Sequence, residues 1–117
     1  MTEADAGRLD HIATAIDRVR RYASEGRVAF LADPRTQDAV IRNPEIIGEA
    51  ASRVSPALQT AHPDLPWEQM RGLRNRLAHA YFDVDLSIVW GVVEGELPEL
   101  EARMAAIRTT QSGTDPG

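Results

Sequence analysis

Apolar residues recur along most of this chain at intervals of three and four. Leu9, Ile12, Ala13, Ile16, Val19 and Ala23 keep that spacing and predict an amphipathic helix over residues 6–24, ended by Glu25-Gly26. A short apolar turn, Val28 to Leu31, follows. Asp33-Pro34 has the form of an N-cap with proline in the first helical position, and opens a second helix over 34–54. Val40, Ile47, Ala51 and Val54 share one face of it. Pro44 lies inside this helix, where it removes a backbone hydrogen bond and is expected to kink the chain at a cost of about 3 kcal/mol unless something compensates.

Three prolines, an aspartate and a histidine make 55–66 a predicted loop. Pro66-Trp67 opens a third helix that turns Met70, Leu73 and Leu77 inward and ends near Ala80, with a turn at 82–85. From Leu86 a last helical stretch begins. Its residues Val93, Leu97, Leu100, Met104 and Ile107 form a seam suited to packing on other helices, with Gly95 and Pro98 placed to bend or break it. No strand, repeat or low-complexity domain interrupts this pattern. The expectation is an all-α bundle of four or five helices over residues 1–108, followed by a polar, disordered tail over 109–117.

Composition narrows the picture. A chain of 117 residues suits one domain with a modest core, and its 43% apolar but only 5% aromatic content means a core of aliphatic and alanine side chains. Without cysteine, disulfides, thiolate catalysis and cysteine-based zinc sites are excluded. The N-terminal residues carry acids rather than an apolar signal region, and no apolar run approaches membrane-spanning length, so the expected location is the cytosol. All 13 basic residues are arginine, against 18 acids, for a net charge of −5. A sequence-blind nucleic-acid binder depends on many phosphate contacts and is usually basic. Any contact of this chain with RNA must therefore use a local patch, for which Arg71, Arg74 and Arg76 are the obvious residues.

Those arginines lead into the most chemically capable stretch of the chain, Arg74-Asn75-Arg76-Leu77-Ala78-His79-Ala80-Tyr81. Arginine offers a rigid cationic fork for phosphate, and histidine can take and give a proton near neutral pH. Each residue also has a plain structural reading. His79 could serve only the helix dipole, the arginines could be a solvated face, and Tyr81 and Phe82 could close the end of the bundle. The combination favours chemistry on a phosphodiester. Asn75 lies four residues before His79 on the same helical face, where its amide can orient the ring. Arg74 lies five residues before His79, about 140° around an ideal helix. For the two to act together, the arginine must reach across, the last turn must distort, or a second chain must supply one of them. His11 and His62 lack metal-ligand spacing with His79, and no metal or cofactor motif is present. Gly48 and Gly72, isolated within helices, read as sites of close helix packing.

The string Arg74-x-x-x-x-His79-x-Tyr81 resembles the signature of the HepT toxins of the HEPN superfamily. The likeness extends through TQDAVIRNPEIIGEA (36–50), Pro66-Trp67, GLRNRLAHAYFDVD (72–85) and IVW (88–90), and covers about residues 8–107; Pro44 departs from it, standing where an aliphatic residue is expected. The resemblance implies a HEPN-type bundle that forms a two-fold homodimer with two motifs across one cleft. It implies a metal-independent endoribonuclease toxin of a type VII toxin-antitoxin pair, acting on RNA, tRNA among the candidates, without a cofactor. It implies catalytic roles for Arg74, Asn75 and His79, with Arg71, Arg76 and Arg42 as substrate-binding residues. It further implies a nucleotidyltransferase antitoxin of the MNT type that neutralises the toxin by transferring AMP to Tyr81. The competing expectation is a non-catalytic helical subunit that binds such a nucleotidyltransferase.

Overall fold

The computed structural model describes residues 2–82 and 85–114, and among these every regular element is helical. Helix α1 (Glu3–Tyr22) is capped by Thr2, whose hydroxyl accepts from the Asp5 N–H at 3.0 Å. Glu3 and Asp5 in its first turn and Arg20 and Arg21 in its last complement the helix dipole. Leu9, Ile12, Ile16 and Val19 are buried along the face that the sequence spacing predicts.

The expected turn at Val28–Leu31 is a short helix, α2 (Arg27–Ala32), entered through Gly26 in the left-handed region at φ 94. Six residues are too few for a periodic signature, but α2 is firmly held. Its buried Phe30 ring packs on Trp90 at a centroid distance of 5.3 Å, and Gln37 Nε2 donates to the carbonyls of Phe30 and Leu31 at 3.0 and 3.2 Å. These bonds satisfy carbonyls that a helix end leaves open.

Helix α3 (Pro34–Arg53) starts as the sequence predicts, with Asp33 as cap and Pro34 in the first position. The Asp33 carboxylate accepts from the Thr36 hydroxyl at 2.9 Å and the Arg35 N–H at 3.0 Å, and these bonds hold its carboxyl below the usual range. Pro44 is buried, and α3 runs unbroken on either side of it. Beside it, the buried Asn43 amide donates to the Ala39 carbonyl at 2.9 Å, a side-chain bond next to the backbone bond that proline cannot make.

The predicted loop at 55–66 contains a second short helix, α4 (Pro56–Ala61), with Ser55 as cap and proline in first position. Ser55 also ties this junction to the start of α1. Its N–H donates to Asp5 Oδ1 at 2.9 Å and its hydroxyl to Asp5 Oδ2 at 2.6 Å. Burial pushes the Asp5 carboxyl up, but the hydrogen bonds from Ser55 and Thr2 outweigh it and hold the group below the usual carboxylate range. Because the start of α1 meets the end of α3, these two helices run antiparallel.

Helix α5 (Trp67–Phe82) is followed by α6 (Leu86–Gly91), a π-helical turn (Val92–Glu96) and α7 (Leu97–Thr114), which form one continuous run. Here the expected interruption takes a specific form. The Leu97 N–H donates to the Val92 carbonyl five residues back, and the next residue is Pro98, which has no N–H to give. The helix widens rather than breaks, and Val93, Leu97, Leu100, Met104 and Ile107 are all buried as the predicted seam. Helix α7 continues past Thr109 to Thr114.

Among the described residues the long stretches are thus α1, α3, α5 and the α6–α7 run; the chain is all-helical as expected, but the short helices α2 and α4 bring the number to six rather than four or five. Helix α3 packs between α1 and α5, α6 lies against α5, and α7 returns along α1, where Arg20 pairs with Glu101. The bundle measures 48 × 24 × 20 Å. No helix among the described residues is long and apolar enough to cross a membrane.

Candidate active site on helix α5

The motif sits on α5 because two spacings coincide there. Trp67, Met70, Leu73, Leu77 and Ala80 recur at three and four and are buried against the bundle. The residues between them, Arg71, Arg74, Asn75, Arg76 and His79, are exposed. The start of the helix is fixed by the Met70 N–H donating to the Pro66 carbonyl at 2.9 Å and by the Trp67 indole donating to the His62 carbonyl at 2.9 Å.

At about 100° per residue, Asn75 points almost directly away from the buried face, with Arg71 and His79 about 40° to either side of it. Arg74 and Arg76 lie on opposite flanks. The structure assigns each flank a neighbour. On one side, α3 presents Gly48 to Arg74. On the other, Arg76 Nη2 pairs with Glu96 Oε1 at 2.8 Å. Helix α5 is regular α-helix through Phe82, so the last turn does not distort to bring Arg74 and His79 onto one face.

The three arginines differ in what they already bind. Arg71 Nη1 donates to Gln59 Oε1 at 2.9 Å, and Arg76 is engaged by Glu96. Arg74 makes no hydrogen bond or ion pair among the described residues, so its fork is available to a phosphate. The patch, free of acids in its own sequence, thus receives one carboxylate from the π turn. An exposed pair of this kind contributes about 0–1 kcal/mol, too little to prevent exchange of Arg76 to a phosphate partner.

Asn75 and His79 stand one turn apart on the outer face, with His79 in the last turn of α5. The side chain of Tyr81 lies outside the described residues; its backbone belongs to α5. Arg42 is exposed on α3, and among the described residues no hydrogen bond or ion pair joins it to α5. Glu49, also on α3, pairs with Arg53 of the same helix at 3.0 Å. Among the described residues, no three histidine, aspartate or glutamate side chains are grouped to hold a metal ion.

Gln59 and Glu96 are the neighbours that sequence reasoning missed. Gln59 falls in the short α4, which has no periodic signature. Glu96 had a usable signal, since it precedes Leu97 and Leu100 of the seam and so belongs to an exposed flank of that helix.

Comparison with known proteins identifies the family. The chain is 39% identical over 101 residues to the protein named Probable ribonuclease HepT from Thermococcus cleftensis, covering 86% of this chain and 92% of that one. It is 36% identical over 103 residues to a protein of Caldanaerobacter subterraneus subsp. tengcongensis that carries an RNase name, covering 85% and 89% of the two chains. No solved structure gives a significant match. A family model described as Ribonuclease HepT-like matches residues 12–107, which takes in all of α3 and α5 with the whole motif, the second half of α1 and most of the α6–α7 run, and the chain belongs to that family.

Proposed function

We propose that this chain is a metal-independent endoribonuclease toxin of a type VII HEPN/MNT pair, built as a two-fold homodimer. One observation carries the reading. The exposed face of α5 presents Asn75 and His79 a turn apart, flanked by Arg74, the motif arginine without a partner among the described residues. Family membership and the ribonuclease names of its relatives support it.

Cleavage of RNA without a metal requires a base for the ribose 2′-OH, an acid for the leaving 5′-oxygen, and positive charge for the phosphorane between them. The 2′-oxygen attacks phosphorus, the bond to the 5′-oxygen breaks, and the products are a 2′,3′-cyclic phosphate and a 5′-hydroxyl. His79 acts as acid or base, a role worth on the order of 10²–10⁴ in rate. Arg74 holds the phosphate and stabilises the charge that develops on it. Asn75 orients the histidine or the substrate, and Arg71, Arg76 and Arg42 bind the RNA backbone, with tRNA among the candidate substrates.

The separation of Arg74 and His79 on a regular helix supports the dimer. Two motifs facing each other across a two-fold axis supply two histidines and let the arginine of one chain serve the histidine of the other. An MNT-type nucleotidyltransferase would silence the site by joining the Tyr81 hydroxyl to the α-phosphorus of ATP, with pyrophosphate leaving. The added AMP brings negative charge and bulk beside the cleft and repels RNA.

The test is cleavage of RNA by purified protein in EDTA. Products ending in 2′,3′-cyclic phosphate are expected from the wild type and none from folded His79→Ala; cleavage by His79→Ala at the wild-type rate would overturn the assignment.

A further inference from the structure

The geometry points to Gly48 as a positioning residue for the Arg74 guanidinium. The inference rests on the ribonuclease reading and adds to it a residue on a different helix. Gly48 is buried in α3 where that helix meets α5. A Cβ built on it would stand 3.2 Å from the Arg71 carbonyl oxygen, 3.3 Å from the Met70 carbonyl oxygen and 3.4 Å from Arg74 Cβ. Two of these neighbours are backbone atoms and the third is the root of a side chain, so none can swing aside as a flexible tip would. A methyl group here forces α5 away from α3 by a few tenths of an ångström, at the turn that carries Arg74.

The other helical glycines lack such neighbours. A Cβ on Gly7, Gly72, Gly91 or Gly95 meets nothing within 4 Å, and none of these four has a positive φ. Gly48 is the glycine among those described whose missing side chain lets two helices touch, and what it touches is the stem of the unpartnered motif arginine. Among the described residues no hydrogen bond or ion pair orients Arg74, whereas Arg71 and Arg76 are each held by a side chain. The position of the Arg74 Cβ, from which the fork extends, is therefore set by backbone approach, and the absence of a side chain at Gly48 permits that approach.

A fork that stabilises charge developing on the phosphorane matters more to the transition state than to bound RNA. Displacing it should lower kcat more than it raises KM. The experiment measures multiple-turnover cleavage by wild type, Gly48→Ala, Arg74→Ala, the double variant, and Gly7→Ala as the same substitution at an open helical position. Assays are run at a temperature where circular dichroism shows each variant as helical as wild type. Gly48→Ala is expected to lose about tenfold in kcat with KM within about twofold, since small misplacements of a positioned group have large effects on rate. Gly7→Ala should match wild type. In the Arg74→Ala background, Gly48→Ala should cost nothing further, because the group it positions is gone.

A defect in Gly48→Ala that persists undiminished in the Arg74→Ala background would overturn the inference, as would Gly48→Ala cleaving at the wild-type rate while Arg74→Ala is inactive. Should Gly48→Ala lack a usable folded range, Gly48→Ser at the same site is assayed in the same cycle, and loss of folding by both would also overturn it. Arg74→Ala cleaving as well as wild type would instead overturn the ribonuclease role of Arg74, and the positioning role with it.

Discussion

Arg76 Nη2 lies 2.8 Å from Glu96 Oε1, an ion pair that joins the motif helix to the π turn and takes one motif arginine out of the open patch. Both partners are more than 40% exposed, so the bond adds little to stability. If Arg76 binds the RNA backbone as proposed, the effect falls on binding, because Glu96 then competes with an RNA phosphate for the same guanidinium. Glu96→Gln is expected to leave the fold intact, tighten RNA binding, and steepen the salt dependence of the binding constant by roughly 0.7 in log–log slope, the value for one more single-strand phosphate contact. Filter binding over a range of salt, with the His79→Ala protein that is expected not to cleave, checks this. An unchanged slope would mean that Arg76 does not meet phosphate.

Arg74 is expected to need its fork as well as its charge. Lysine keeps the charge but replaces a planar set of donors with a single hydrated ammonium on a flexible stem. Arg74→Lys should fold normally, since the position is exposed, bind RNA within a few-fold of wild type, and cleave roughly ten- to a hundredfold more slowly. Single-turnover cleavage with excess enzyme separates the two effects. Full activity in Arg74→Lys would reduce the residue to a point charge.

What could be read from the sequence follows a physical boundary. Burial on one face of a long helix leaves a direct imprint at three and four residues, so the seam from Val93 to Ile107 and the buried side of α5 were visible without coordinates. The angular separation of Arg74 and His79 was visible for the same reason, being a property of one helix. Contacts between elements leave no such imprint. Gln59 and Glu96 reach Arg71 and Arg76 from 12 and 20 residues away, and nothing in the intervening sequence records how the helices are set against each other. The six-residue helices α2 and α4 are too short to show a period. Gly48 and Gly72 looked equivalent, both glycines inside helices, and only the register of α3 on α5 separates the packed one from the open one.

Asp5 should act as a pH-dependent clamp between α1 and the α3–α4 junction. Its two carboxylate oxygens accept both donors of Ser55, and its folded-state pKa is lowered. A lowered carboxylate pKa contributes stability that is fully present above the unfolded-state value, about 3.9, and is lost as pH falls through the folded-state value. Asp5→Ala is expected to cost about 1–3 kcal/mol at pH 7, because it leaves the Ser55 donors without their acceptor. Urea denaturation of both proteins between pH 7 and pH 2 should show a constant gap down to about pH 4 that narrows below it. A gap independent of pH would show that packing rather than the ionised carboxylate joins the two elements.

Gly72 offers the opposite case to Gly48 on the helix that carries the motif. It is exposed, inside α5, and a Cβ built there meets nothing within 4 Å. Glycine in an exposed helix interior is less favourable than alanine by about 0.8–1.0 kcal/mol, because it has more backbone freedom to lose on folding. Gly72→Ala should therefore stabilise the protein by about 1 kcal/mol, which for a chain of 117 residues corresponds to a rise in Tm of about 3–5 °C. A thermal melt followed by circular dichroism reads this directly. A lower Tm would mean that the residue's openness in the single chain does not persist in solution, as when a second copy packs against this face of α5. The sign of this one substitution therefore also reports whether the outer face of the motif helix is covered.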